Sequence, residues 1–139
     1  MKYFYKIPCK KDHLKDLRSF VWKALVNHGL TEIDISTLVL AIDEICANLI
    51  IHSHSCNPNE FIKININIIK NEGIEFSIHD HGSGFDISKY DAPTLDELIK
   101  TKRKGGIGLI LVRKIMDKIE LVNESGQNVC KLYKKANVY

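Results

Sequence analysis

Residues 61–80 read FIKININIIKNEGIEFSIHD, and their period decides the fold. Ile62, Ile64, Ile66 and Ile68 alternate with Lys63, Asn65 and Asn67. After Asn71-Glu72-Gly73, a turn, the same period returns, with Ile74, Phe76 and Ile78 set against Glu75, Ser77 and His79. Period two marks a strand with one buried and one wet face, because successive side chains leave opposite sides of the pleat. Two such runs joined by a short turn predict an antiparallel hairpin. The same parity carries Asp80 onto the face of Ile74, Phe76 and Ile78.

Outward from this hairpin the period changes. Residues 2–8 alternate aromatic and charged side chains and read as a short strand. From Asp12 to Asn27 the apolar residues Leu14, Leu17, Val21, Trp22 and Leu25 recur at helical spacing, and Gly29 closes that helix from its C′ side. Thr31 opens a second helix with Glu32 and Asp34 in its first turn, where the helix dipole favours acids. Leu38, Ala41, Ile42, Ile45 and Leu49 form its buried stripe to about His54, and Asn57-Pro58-Asn59 ends it. Residues 82–105 read as loop with a short helix at 95–99. A helix is predicted over 107–118, with Ile107, Ile110, Leu111, Ile115 and Met116 inward. Ile119–Val122 and Val129–Tyr133 form a last hairpin around Glu124-Ser125-Gly126. This order predicts an α+β fold: a two-layer α/β sandwich, its sheet mixed and mostly antiparallel, with helices on one face.

The chain of 139 residues fits one domain, 1–139, with 45% apolar and 27% charged residues, a mix that argues against disorder. A net charge of +3 is too weak to argue direct nucleic-acid binding. The longest apolar run, Leu38 to Ile42, is far short of the roughly 20 residues of a membrane span. The N-terminus lacks a signal-peptide pattern, so the expectation is a cytoplasmic protein without membrane attachment. Cys9, Cys46, Cys56 and Cys130 form no Cys-x-x-Cys pair and are expected as free thiols, mostly buried.

Three constellations carry chemistry. Glu44, Asn48 and His52 recur every four residues on the second helix, one polar stripe beside the apolar one. An amide oxygen there suits Mg²⁺, and a carboxylate suits proton transfer or orientation of a nucleophile; a solvated helix face is the plainer alternative. Asp80-His81-Gly82-Ser83-Gly84-Phe85-Asp86 ends the hairpin. A buried carboxylate needs a donor, which an adenine amine supplies, and Gly82 and Gly84 let backbone approach a flat ligand; the alternative is a polar turn. Gly105-Gly106-Ile107-Gly108-Leu109 opens a helix whose free N–H groups suit phosphate, and Lys100, Lys102, Arg103 and Lys104 precede it. Against this stand a flexible hinge and a solvated basic patch. No P-loop and no dinucleotide fingerprint is present.

The order of these motifs resembles the GHKL ATPase superfamily of gyrase, Hsp90, histidine kinases and MutL, over nearly the whole chain. Within it the chain is most similar to the stand-alone anti-sigma-factor serine/threonine kinases of bacteria. The carrying residues are Leu40 to Asn48 with His52, Asp80 to Asp86, Gly105 to Leu109, and Leu17 to Val21 on the first helix. The resemblance implies a Bergerat-type ATP-binding fold with ATP and Mg²⁺ as cofactors. Asn48 would bind Mg²⁺ and Glu44 would be the general base. Asp80 would take the adenine amine, with His52, Gly82, Gly84 and Phe85 around the nucleotide. Gly105, Gly106, Ile107, Gly108 and Leu109 would meet phosphates, and Lys102 or Arg103 would reach the γ-phosphate. One departure stands out: the family usually has Gly-Thr entering its last strand, where Gln127-Asn128 stand here, so Asn128 would contact adenine.

The function so implied is phosphorylation of a small anti-anti-sigma-like regulatory protein, with binding of a sigma factor. The alternatives are an ATP-gated binding module without turnover and a detached histidine-kinase catalytic module. His52-Ser53-His54-Ser55-Cys56 and His79-Asp80-His81 lack the second convergent pair a structural zinc needs. His13 to Arg18 weakly resembles a phosphoacceptor box, with too little chain before the ATP motifs for a dimerisation domain. The strand at Tyr3-Phe4-Tyr5-Lys6-Ile7 reads as an exposed edge and, with the family's habit, predicts a homodimer.

Overall fold

The computed structural model describes residues 1–52, 61–80, 106–124 and 127–139. In chain order they form β1 (Lys2–Pro8), a 3-10 turn (Lys11–His13), α1 (Leu14–Leu25), α2 (Glu32–His52), β2 (Phe61–Ile69), β3 (Gly73–Asp80), α3 (Gly106–Ile115), β4 (Lys118–Glu124) and β5 (Gln127–Lys135). The strands make one sheet in the order β1-β2-β3-β5-β4. Every neighbouring pair is antiparallel, which corrects the expectation of a mixed sheet. The reason lies in the last hairpin: β5 folds back between β4 and β3, so the crossover through α3 skips one position.

The period-two reading holds along the central hairpin. Ile62, Ile64, Ile66 and Ile68 are buried, and so are Ile74, Phe76 and Ile78. The register sets Ile64 opposite Ile78, Ile66 opposite Phe76 and Ile68 opposite Ile74. Burying each of these side chains fully contributes roughly 1.5–3 kcal/mol. The helices cover this face. Leu17, Val21, Ala24 and Leu25 of α1 join Ile35, Leu38, Ala41, Ile42, Ile45, Cys46 and Leu49 of α2 in one core. α2 packs against both α1 and α3 and is the central helix of the layer. Thr31 caps it as expected, its Oγ1 accepting from the Asp34 N–H at 3.1 Å.

Several boundaries differ from the sequence reading. α1 occupies only 14–25 of the anticipated span, and Val26 ends it in an extended conformation (φ −65°, ψ 147°). The left-handed residue that follows is Asn27 (φ 72°), so Gly29 is not the cap. Gly29, at φ +88°, answers to the C-terminus: a Cβ there would lie 2.7 Å from the Tyr139 ring. α3 stops at Ile115, not 118, because the Met116 N–H makes its last helical bond (to Val112 O, 3.0 Å) and the next, from Asp117, goes to Tyr133 O at 2.9 Å. Lys118 therefore begins β4. Leu111 is exposed rather than inward, and Val112 with Met116, one turn on, forms the buried seam. Cys46 and Cys130 are free and buried, but Cys9, also buried, is disulfide-bonded, which corrects the expectation of free thiols throughout. The short helix at 95–99 lies outside the described residues. No helix of the described residues is long and apolar enough to cross a membrane.

Candidate functional site

The site starts on α2. A helix brings residues four apart onto one flank, so Glu44 and Asn48 are neighbours and His52, the last residue of α2, continues the line. Asn48 is only 5% exposed. Its Nδ2 donates to the Glu44 backbone carbonyl at 2.7 Å, a local bond that fixes the side chain. That leaves Oδ1 as the atom for a ligand, and a neutral, hard oxygen fits Mg²⁺, which takes few protein ligands when phosphates supply the rest. Among the described residues no group of three or more His, Cys, Asp or Glu could hold a metal ion.

Glu44 is half-buried. Burial first, and the charge of neighbouring Asp43 second, hold its carboxyl above the usual carboxylate range. Asp43 is anchored to α1: Arg18 Nη1 donates to its Oδ1 at 3.0 Å. A carboxylate shifted upward is closer to the range in which a general base works near neutral pH.

Parity put Asp80 on the buried face, and there it is, 3% exposed. Its Oδ2 has no hydrogen-bond partner among the described residues. An unpartnered carboxylate oxygen in the interior is expensive and implies a donor supplied from elsewhere. Asp80 also sits close to α2. Burial above all pushes the Cys46 thiol up, and the nearby carboxylates of Asp43 and Asp80 add to it. Cys46 is two residues from both Glu44 and Asn48, about 200° around the helix, so the end of β3 meets the same turns of α2 on a different face from the polar stripe. Burial pushes the Cys130 thiol up to about 12, so both thiols stay protonated and act as small apolar packing. Asn128 of β5 stands directly opposite Asp80, and directly opposed residues share a face.

The third wall is α3, packed on α2, with Gly106, Ile107, Gly108 and Leu109 in its first turn. The first N–H groups of a helix lack partners within it and are suited to an anion. Glu44 and Asn48 thus share one flank of α2, Asp80 and Asn128 pair across β3 and β5, and α3 packs on α2. Gly82, Gly84, Phe85, Lys102, Arg103 and Gly105 lie outside the described residues. Sequence reasoning missed Asp43, Cys46 and Cys130 as neighbours of the site. The signal was available: Asp43 adjoins Glu44, and Cys130 shares the parity of Asn128.

Comparisons with known proteins bear on the family and the fold. Residues 7–134 match the family model described as histidine kinase-like ATPase domain. A serine-protein kinase RsbW of Oceanobacillus iheyensis is 30% identical over 126 residues, 87% of this chain and 78% of its own. One of Staphylococcus aureus is 29% identical over 129 residues, 89% of this chain and 80% of its own. Among solved structures, the RsbU and RsbW domains of a Mycobacterium tuberculosis protein align with a TM-score of 0.70 at 13% identity, over 96% of this chain and 32% of that one. The SiaB–SiaC complex of Pseudomonas aeruginosa aligns with a TM-score of 0.63 at 11% identity, over 96% of this chain and 89% of that one. These two show the fold. A match to nearly the whole domain, joined to a relative at 30% identity across most of both chains, is decisive: the chain belongs to the histidine kinase-like ATPase domain family, in the branch of its protein serine/threonine kinases.

Proposed function

We propose that this kinase transfers the γ-phosphoryl group of ATP, with Mg²⁺, to a serine or threonine hydroxyl of a small anti-anti-sigma-like regulatory protein. In this reading it also binds a sigma factor, works in the cytoplasm and forms a homodimer. The observation that carries the reading is the buried, unpartnered Oδ2 of Asp80 beside the helix that bears Glu44 and Asn48. One carboxylate is placed to recognise a base, and one turn of helix offers a proton acceptor and a cation ligand.

The chemistry follows from those roles. Asp80 Oδ2 accepts a hydrogen bond from the adenine amine, which relieves the unpartnered oxygen, and Asn128 adds a second polar contact on the same face. Asn48 Oδ1 would hold Mg²⁺, and the ion would supply charge neutralisation across the phosphates. The N–H groups at the start of α3 take phosphate oxygens. Glu44 accepts the proton of the attacking hydroxyl as its oxygen bonds to the γ-phosphorus. The bond from that phosphorus to the bridging oxygen breaks, and ADP leaves. Positioning and charge stabilisation supply most of the rate in such transfers.

The homodimer reading draws support from topology. β1 is an outer strand of the sheet, so one of its edges is free for pairing, and Phe4 on it is exposed.

The test is a pull-down from the native cell with and without ATP, followed by phosphosite mapping on the captured protein and by transfer of labelled γ-phosphate. Acid-stable phosphate on a serine or threonine is the expected result. Acid-labile phosphate would point to a histidine acceptor. Intact ATP beside tight, nucleotide-dependent binding would replace catalysis with gating.

A further inference from the structure

A line of residues on the outer face of α2 ends at the proton acceptor. Successive residues of a helix turn by roughly 100°, so Ile33, Thr37, Leu40 and Glu44 fall within about 60° of one another around α2. Asn48 continues the line one turn farther on, where it is buried. The line therefore runs from solvent into the site: Ile33 is 78% exposed, Leu40 is 44% exposed and Glu44 is half-buried. On the other side of the helix Ile35, Leu38, Ile42, Ile45 and Cys46 hold the core, and Ile33 and Leu40 point away from it. The Thr37 hydroxyl between them donates back to the Ile33 carbonyl at 2.7 Å and is spent within the helix, which leaves the crest to hydrocarbon. Asp34 and Asp43 stand roughly 60° off the line on either side, and Asp43 is held by Arg18 at 3.0 Å. Exposed aliphatic side chains scattered singly are ordinary. These two share one line with the residue that receives the proton.

We propose that the crest of Ile33, Thr37 and Leu40 docks the phosphoacceptor protein, through aliphatic side chains that flank its serine or threonine. The proposal rests on the reading of Glu44 as the acceptor of that hydroxyl's proton. Size selects the occupant. A stable protein interface covers about 800 Å² on each partner, a disc of roughly 16 Å radius. Along α2, at 1.5 Å per residue, Leu40 is roughly 6 Å from Glu44 and Ile33 roughly 16 Å. A folded protein that brings a hydroxyl to Glu44 therefore lies over Leu40, and its margin reaches Ile33. Leu40 is then an anchor near the centre, where truncation costs most, and Ile33 is a rim contact that costs little. A small alcohol or a water molecule makes neither contact, so the crest separates a protein acceptor from other hydroxyls.

The test is transfer of labelled γ-phosphate from ATP into a soluble extract of the native cell, diluted in series, with the full chain as enzyme. Leu40→Gln and Ile33→Gln remove the aliphatic surface and keep a good helix former in place. Leu40→Met keeps the surface. Lys118→Gln is the control, because Lys118 is exposed on β4 beside Ile119, which packs on the core, and so lies on the sheet face away from the helices. Leu40→Gln is expected to need about fivefold more extract for half-maximal labelling and Ile33→Gln about twofold more. The rate in concentrated extract and the calorimetric affinity for ATP stay at the parent's values, and Leu40→Met and Lys118→Gln follow the parent throughout. Equal labelling by the parent and Leu40→Gln at every dilution would overturn the proposal. So would a rate that falls by the same factor at every dilution, which places Leu40 in the chemistry, or a parental dimer that Leu40→Gln turns monomeric, which assigns the crest to a second copy. The two readings fail separately. An extract in which the parent labels no protein removes the kinase reading and the docking with it, whereas an extract labelled alike by every variant removes the docking alone.

Discussion

β2 and the last residues of β3 share one buried face and obey one parity, yet they answer to different demands. Along β2, Ile62, Ile64, Ile66 and Ile68 bury hydrocarbon against the helices with no polar atom to satisfy. Along β3, Ile74, Phe76 and Ile78 do the same, and two positions later Asp80 places a carboxylate at 3% exposure with one oxygen unpartnered among the described residues. Nothing in the strand geometry changes between Ile78 and Asp80. What changes is who supplies the contacts: the fold itself for the isoleucines, a ligand for the acid. A position where packing logic fails while its neighbours obey it marks function.

The sharpest way to break this comparison is in the apolar half. Phe76 is fully buried opposite Ile66, and Phe76→Ala removes both its burial and the packing around it. The expected loss is about 3–5 kcal/mol, read as a lowered midpoint in urea with an unchanged slope. A loss under about 1 kcal/mol would mean that the sheet face is not the core.

Next in size is Glu44→Gln, which keeps the shape of the polar flank and removes its proton acceptor. Phosphoryl transfer should fall about 100-fold or more, while ATP affinity holds. Stability should move the other way. The folded state holds the Glu44 carboxyl above its ordinary value of 4.5, so its ionisation disfavours folding: the contribution is fully present below that value and is lost as pH rises through the folded one. At neutral pH the glutamine variant is therefore expected to melt slightly higher than the parent, and at pH 4 the difference disappears. Equal transfer rates would remove Glu44 from the chemistry.

Asp80→Ala comes third and separates the two halves of β3 most cleanly. ATP binding by calorimetry should weaken about 10–100-fold, the magnitude of a lost hydrogen bond to a charged group. The ligand-free protein should be as stable as the parent or more so, because the substitution removes a buried oxygen that has no partner. A variant that binds ATP normally and unfolds more easily would make Asp80 a structural residue.

How much of this was legible follows the same division. Alternation over 61–80 gave the hairpin, its face and the burial of Asp80, because a strand's parity is a local property of the chain. The i, i+4 spacing gave Glu44 and Asn48 for the same reason. What remained hidden depends on contacts far apart in sequence. The all-antiparallel order required knowing that β5 inserts between β3 and β4. The meaning of Gly29 required Tyr139, 110 positions away, to lie against it. Val112 rather than Leu111 faces inward because α3 packs on α2 along one narrow seam, and a helix rich in aliphatics on all sides does not announce which. The elevated Glu44 carboxyl was likewise out of reach, since burial is its larger cause.

The smallest effect tests the two causes of that elevation against each other. Asp43→Asn removes the neighbouring negative charge and leaves Glu44 in its half-buried setting. It also breaks the 3.0 Å contact with Arg18, an exposed ion pair worth roughly 0.2–1 kcal/mol, so the fold should barely soften. Transfer on the high-pH plateau of the profile should stay near the parent rate, because the proton acceptor itself is unchanged. The acid limb of the pH–rate profile should shift to lower pH, since without the like charge the carboxylate forms more readily. It should not return to the limb of an ordinary glutamate, because burial, the larger cause, persists. A limb that moved all the way would make Asp43 the controlling group. One that did not move would assign the whole elevation to desolvation between α2 and the sheet, the same dry interior that leaves Asp80 in want of a partner.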